Sequence, residues 1–286
     1  MHNDNLPELL SPKVDVIFKL LFGDERYKDL TINFISAVLG YKGGELEDIS
    51  FYDTHLKREN PNDKLGVLDI KAKLSNGNVI DVEMQSRSIP EMRSRTSYYK
   101  SHLLTEQIGE GGSYLELKPV KSIIVADFDF IPESEKCHTV FQMLERDEHF
   151  PFNDLEEVHV LCLKKLSKLD NESLREWLRF IKTESKEEFM EFAKKDPVFE
   201  KAVNVLSVVS ADKTNRMLYE ARLKEWRDNQ SRIEGARKEG IGIGIDKGID
   251  IGVSKRDEEI LALIKKGYTA ADIENHLLKQ TRQATA

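Results

Sequence analysis

Two neighbouring runs carry the residues best suited to chemistry. In Val67 to Leu74, Asp69, Lys71 and Lys73 fall on one side of an extended chain, and Leu68, Ile70, Ala72 and Leu74 on the other. In Val79 to Gln85, Asp81, Glu83 and Gln85 share one side, and Ile80, Val82 and Met84 the other. Each run therefore predicts a strand with one oily and one charged face. Ser75-Asn76-Gly77 between them is a turn signal whose length decides what the charged faces can do. A two-residue loop, Asn76-Gly77, puts Asp69 and Glu83 on opposite sides of the sheet. A three-residue loop with Gly77 left-handed sets Asp69 opposite Glu83 and Lys71 opposite Asp81, and makes the oily faces coincide. Because a one-residue slip exposes a whole strand face, the three-residue loop is the one expected.

Two carboxylates facing each other across a sheet repel unless positive charge lies between them. A divalent ion is one solution. Oxygens of Asp69 and Glu83, with the backbone carbonyl of Met84, suit Mg²⁺ or Mn²⁺, which bind few protein ligands and keep water for a phosphate substrate. Ordinary ion pairs are the other solution, Asp69 with Lys71 or Lys73 and Glu83 with Lys71. The pattern alone leaves both open.

The flanking segments predict the elements that hold this hairpin. Ser11 and Pro12 signal the start of a helix running to Phe22, with Val14, Ile17, Phe18 and Leu21 inward and Asp15 and Lys19 one turn apart on another face. A second helix is expected from Leu30 to Leu39, ended by Gly40. Strands are expected around Ile49 and Phe51, over Val120 to Phe128 and over Val158 to Leu163, with a helix over Pro90 to Gln107. From Glu172 onward the pattern is helical, with a longer helix starting near Asp196 and Pro197.

Gly240, Gly244, Gly248 and Gly252 recur every four residues, with Ile241, Ile245, Ile249 and Val253 in step. As a helix this places a glycine row beside an aliphatic row, open to a partner helix; as coil it is a linker. Two short helices across Gly267 follow, in the manner of a vestigial helix-turn-helix. The expected organisation is a mixed α/β core over residues 1–170, a helical extension over 171–234 and the repeat tail over 235–286.

The 286 residues carry a formal charge of −8, so a general coat of positive charge for nucleic acid is excluded and any such binding must be local. Two cysteines, Cys137 and Cys162, make no disulfide framework and suit a reducing cytosol. With no apolar run near bilayer length, a cytoplasmic location and no membrane contact are expected.

Asp15-Val16-Ile17-Phe18-Lys19-Leu20-Leu21-Phe22-Gly23, then Asp63 to Ala72, then Gly77 through Asp81-Val82-Glu83-Met84-Gln85 resemble the PD-(D/E)XK nuclease family transposases, also called recombination-promoting nucleases. The similarity continues through Arg95 to Ser101 with paired Tyr98 and Tyr99, Gly112-Ser113-Tyr114 before Pro119-Val120, the strand Val158 to Leu163 and the glycine-punctuated tail. It covers most of the chain, and its specificity lies in order and spacing.

The resemblance implies a restriction-endonuclease-like mixed α/β sheet flanked by helices, and cleavage of DNA phosphodiesters with Mg²⁺ or Mn²⁺. Asp69 matches the metal-binding aspartate and Glu83 the acid of the third motif. Gln85 stands where the wider superfamily usually has lysine; glutamine is neutral and can only hydrogen-bond. Lys71 is a candidate substitute cation, and Asp15 a candidate extra acid from the first helix. Arg87, Arg93, Arg95 and Lys100, interleaved with Tyr98 and Tyr99, form a candidate phosphate-contacting patch. Because of Gln85, a catalytically silent protein that keeps the fold and binds a partner, or itself, through its C-terminal helices is the competing expectation.

Overall fold

The computed structural model describes residues 8–56 and 66–284, so Asp63, Lys64 and Leu65 of the second motif lie outside the described residues. The elements in chain order are α1 (Asp15–Phe22), α2 (Lys28–Leu39), β1 (Ile49–Phe51), β2 (Ile70–Leu74), β3 (Val79–Gln85), α3 (Met92–Thr105), β4 (Val120–Ala126), β5 (His138–Gln142) and β6 (Glu156–Cys162). Helices α4 (Glu172–Lys182), α5 (Lys186–Lys195), α6 (Pro197–Ala211), α7 (Lys213–Lys265) and α8 (Ala270–Ala284) follow. The six strands form one mixed sheet in the order β1-β2-β3-β4-β6-β5, with β3, β4 and β6 parallel and the remaining pairings antiparallel.

The β2–β3 hairpin closes as the oily faces require. Leu74 N–H donates to Asn78 O at 2.8 Å and Gly77 N–H to Leu74 O at 2.8 Å, enclosing the three residues Ser75 to Gly77. Gly77 has φ +92°, a conformation that residues with a Cβ rarely adopt. The register sets Ile70 against Val82 and Lys71 against Asp81. One consequence is that both sheet faces are covered. Ile70, Ala72, Leu74, Ile80, Val82 and Met84 are all buried on the oily face, while α3 covers the charged one.

On the oily side, Ile17, Phe18, Leu21 and Phe22 of α1 are wholly buried. The Phe22 ring lies 5.4 Å from Trp177 of α4, and Trp177 4.7 Å from Phe199 of α6. Burial of each such side chain contributes about 1.5–3 kcal/mol, so α4 to α6 are held to the first two helices by the same forces as a core. On the other side, Met92 and Leu103 of α3 pack on Ile124 and Val120 of β4 respectively.

Three details differ from the sequence pattern. Helix α1 begins at Asp15, because Ser11 to Val14 close a turn (Val14 N–H to Ser11 O, 3.2 Å) and no side chain caps the helix. Strand β2 begins at Ile70, with Val67 making only an isolated bridge to His55. Strand β5 was not foreseen; its His-Thr-Val-Phe-Gln carries no clean alternation.

Packing divides the chain into two units, one ending at Arg222 and one beginning at Leu223, so the boundary falls inside α7. The Gly/Ile repeat is continuous helix within the 53 residues of α7, and Ile241, Ile245, Ile249 and Val253 are exposed. Gly267, at φ +81°, turns the chain into α8, whose first turn Thr269 and Asp272 cap reciprocally. No helix among the described residues is long and apolar enough to cross a membrane.

Candidate metal-binding site

Asp69 sits in a bend immediately before β2, at the level where Glu83 and Met84 pass on β3. Its backbone N–H donates to Glu83 Oε1 at 3.1 Å, and Met84 N–H donates to Asp69 Oδ2 at 2.8 Å. The two acids are thus locked by each other's main chain. Gln85 Nε2 donates to Glu83 Oε2 at 2.8 Å, fixing the second oxygen. Met84 N–H and C=O both point toward the β2 side, because even-numbered β3 residues bond to β2 and odd-numbered ones to β4. Among the described residues the β2–β3 ladder ends at the Ile70–Val82 pair, so the Met84 carbonyl lies beyond it, on the Asp69 side.

A third carboxylate, Asp81, is buried behind Glu83 on the same face beside Ser122 of β4; among the described residues neither Asp81 Oδ1 nor Ser122 Oγ meets a partner at good hydrogen-bond geometry, although the Ser122 hydroxyl is near enough to draw the Asp81 pKa down. Buried polar atoms of this kind require an account. A cavity of about 10 Å³, lined by Asp81, Glu83, Gln85, Arg95 and Tyr99 among others, is the size of one water molecule. Lys71 is opposite Asp81 in register, but its ammonium is bonded to Glu106 at the end of α3. The hairpin's own lysine therefore serves to tie α3 to β2.

Arg95 of α3 reaches this site. Its guanidinium lies 3.9 Å from Glu83 Oε2 and 5.6 Å above the centre of the Tyr99 ring, close enough for attraction but too far for a hydrogen bond. The other residues of the expected basic patch are distributed differently. Arg93 pairs with Glu133 at 2.7 Å and Lys100 with Glu156 at 3.4 Å, and exposed Tyr98 packs edge-on to His102. Arg87 is half-buried. Asp15 Oδ1 accepts from Val16 N–H and from Arg222 Nε at 3.0 Å, while Arg222 Nη2 meets Asp15 Oδ2 at 2.8 Å. Sequence reasoning missed Arg222, Ser122 and Lys19 as neighbours of the site. Lys19 was visible only as the residue one turn after Asp15.

The family model of the PD-(D/E)XK nuclease family transposases matches residues 12–236. The chain belongs to that family. No curated protein and no solved structure matches it. The mixed sheet with its flanking helices fits this nuclease family, and the matched range includes Asp69, Glu83 and Gln85.

Within this nuclease-family fold, the electrostatics are those of a site short of positive charge. Burial pushes Asp69 up to about 7; the charge of Asp15 adds to this, while the Met84 N–H, Lys19 and Arg95 oppose it. Burial, reinforced by the Asp69 charge, takes Asp81 to about 8. Glu83 is raised well above the ordinary range by burial and by Asp81 and Asp69. The three acids therefore hold protons more tightly than ordinary carboxylates unless a cation replaces them. The donors are all oxygen, which suits a hard dication. Among the described residues no group of three or more His, Cys, Asp or Glu side chains is arranged to hold a metal ion.

These shifts have a stability consequence. Asp69 and Asp81 are raised in the folded state above the unfolded value near 3.9, so their contribution is full below that value and is lost as pH rises through about 7 and 8. Asp81→Asn removes the part due to Asp81. In metal-free buffer, the Tm of Asp81→Asn minus that of the unaltered protein is expected to grow steadily from pH 5 to pH 8. A difference constant over that range contradicts this assignment.

Proposed function

We propose that the protein is a Mg²⁺- or Mn²⁺-dependent endonuclease that hydrolyses DNA phosphodiester bonds in the cytoplasm. The observation that carries this reading is the main-chain interlock of Asp69 with Glu83, which keeps two like charges together in a buried place. Asp69 and Glu83 would hold the ion, with the Met84 carbonyl as a third oxygen. When bound, the ion supplies positive charge to the phosphoryl oxygens and lowers the pKa of water.

The chain's own residues do the rest. Gln85, by holding Glu83 Oε2, keeps that carboxylate from swinging to Arg95, and its amide can also bond to water or phosphate. Lys71 is bound to Glu106, so Arg95 is the cation best placed to offset charge near Glu83 and takes over that part of lysine's role in the wider superfamily. Asp15, paired with Arg222, acts on the field at Asp69. Arg93 and Lys100 exchange their acid partners for DNA phosphates, together with Arg87, Tyr98 and Tyr99; exposed pairs such as Arg93 with Glu133 are worth at most about 1 kcal/mol.

Purified protein with Mg²⁺ or Mn²⁺ is expected to cut plasmid DNA, EDTA to stop it, and Asp69→Ala to lower the rate at least about 100-fold. Equal cutting by identically prepared Asp69→Ala protein places the activity elsewhere. Digestion of matched DNA and RNA checks the substrate. A second reading, a silent nuclease fold that binds partners, draws on the neutral Gln85. It gains if no nucleic acid is cut and neither metal raises Tm.

The exposed Gly/Ile face of α7 is proposed to associate with a second copy of itself, its glycines allowing close approach. Truncation after Lys224 is expected to lower the mass of the assembly in solution beyond the mass of the residues removed. A chain count unchanged by truncation sinks this proposal.

A further inference from the structure

The sheet has an edge at β5, the end of the strand order farther from the acidic strands β2 and β3. Among the described residues β5 is bonded to β6 and to no strand on its other side. Cys162 N–H donates to Cys137 O at 2.8 Å. Alternation along an antiparallel pair then directs the main-chain groups of Thr139 and Phe141 toward β6, and those of His138, Val140 and Gln142 outward.

Folded proteins blunt such edges with lysine, proline, a bulge or a very short strand. The opposite edge, β1, is three residues long. From Cys137 to Leu144 there is no proline and no acidic residue, lysine or arginine. Val140, Phe141, Met143 and Leu144 are 41–48 % exposed, on both faces of the edge. The chain continues into an arm, closed by the Leu144–Pro151 bridge, on which Phe150 and Phe152 are 53 % and 73 % exposed. Apolar surface gathered around open main-chain groups marks an interaction site.

We propose that a second copy of this chain pairs here, β5 against β5, antiparallel about a two-fold axis through Val140. The outward groups of His138, Val140 and Gln142 match this arrangement: Val140 meets its own equivalent in a doubly hydrogen-bonded pair, and His138 meets Gln142. The two sheets become continuous. Charge favours this orientation: before the strand Glu133 and Glu135 are paired with Arg93 and Lys168, so Lys136 sets the sign there, and after it Arg146 is paired with Asp147, so Glu145 and Glu148 set the sign. Antiparallel pairing brings the basic end of one copy to the acidic end of the other, within a residue of level, whereas parallel pairing sets like ends together. The neutral strand between them offers no charge to repel its twin. This proposal is independent of the nuclease reading and of association through α7.

The test is cross-linking of the full-length chain. Facing Cα atoms in a hydrogen-bonded antiparallel pair are about 5.5 Å apart, inside the disulfide range of about 4.4–6.8 Å. Under copper-phenanthroline and air, which oxidise two thiols to one disulfide, Val140→Cys is expected to form a covalent dimer at least five times faster than Leu115→Cys. Leu115 is 94 % exposed and reports chance collisions or association through the tail. Adding Phe141→Lys, which puts a charge on the edge, is expected to abolish the excess. Equal rates for Val140→Cys and Leu115→Cys overturn the proposal, whether the chain is then monomeric, joined only through its tail or paired at β5 with a different protein. So does an excess that survives Phe141→Lys unchanged.

Discussion

The pair of hydrogen bonds between Asp69 and β3 is the contact on which the candidate site depends. Asp69 lies outside the β2 ladder, and nothing in strand geometry alone would hold it against Glu83. It is placed by its own N–H on Glu83 and by Met84 N–H on its carboxylate. Those bonds form only if β2 and β3 are in the register of a three-residue turn, and the register is chosen by burial of the opposite face. Hydrophobic packing of Ile70, Ala72, Val82 and Met84 thus fixes the geometry of two acids that would otherwise repel.

Holding three carboxylates where water is scarce is costly, and the nearby cations offset only part of that cost. Lys71 is committed to Glu106, and Arg95 stops 3.9 Å short at Glu83. The raised values of Asp69 and Asp81 express the same deficit as protons held. Strain of this kind persists only where the surrounding structure over-determines it, as α3, the sheet and the α4 to α6 helices do here. On the proposed reading, a bound dication would relieve the same deficit.

Much of this was legible in the sequence, for identifiable reasons. Period-two alternation and the Ser75-Asn76-Gly77 turn gave the hairpin and its register, and helical spacing in Ile17, Phe18 and Leu21 gave α1. Order and spacing of the motifs gave the family. The burial of Asp81 was not readable, because alternation shows which face a residue is on and not whether a helix covers that face. The partners of Lys71 and Asp15, Glu106 and Arg222, are distant in sequence and meet them only through tertiary packing. Strand β5 escaped notice because an edge strand with apolar residues on both faces lacks the pattern of a half-buried one.

Metal binding itself is the most direct measure of the central claim, since it does not depend on finding the right substrate. Mn²⁺ titrated into the full-length protein near pH 8 and followed by electron paramagnetic resonance is predicted to lose its free-ion signal on binding. In Glu83→Gln, which keeps the shape but removes a charge, affinity is predicted to fall at least tenfold, about 1.4 kcal/mol. Equal Mn²⁺ affinity in the two proteins would contradict the account.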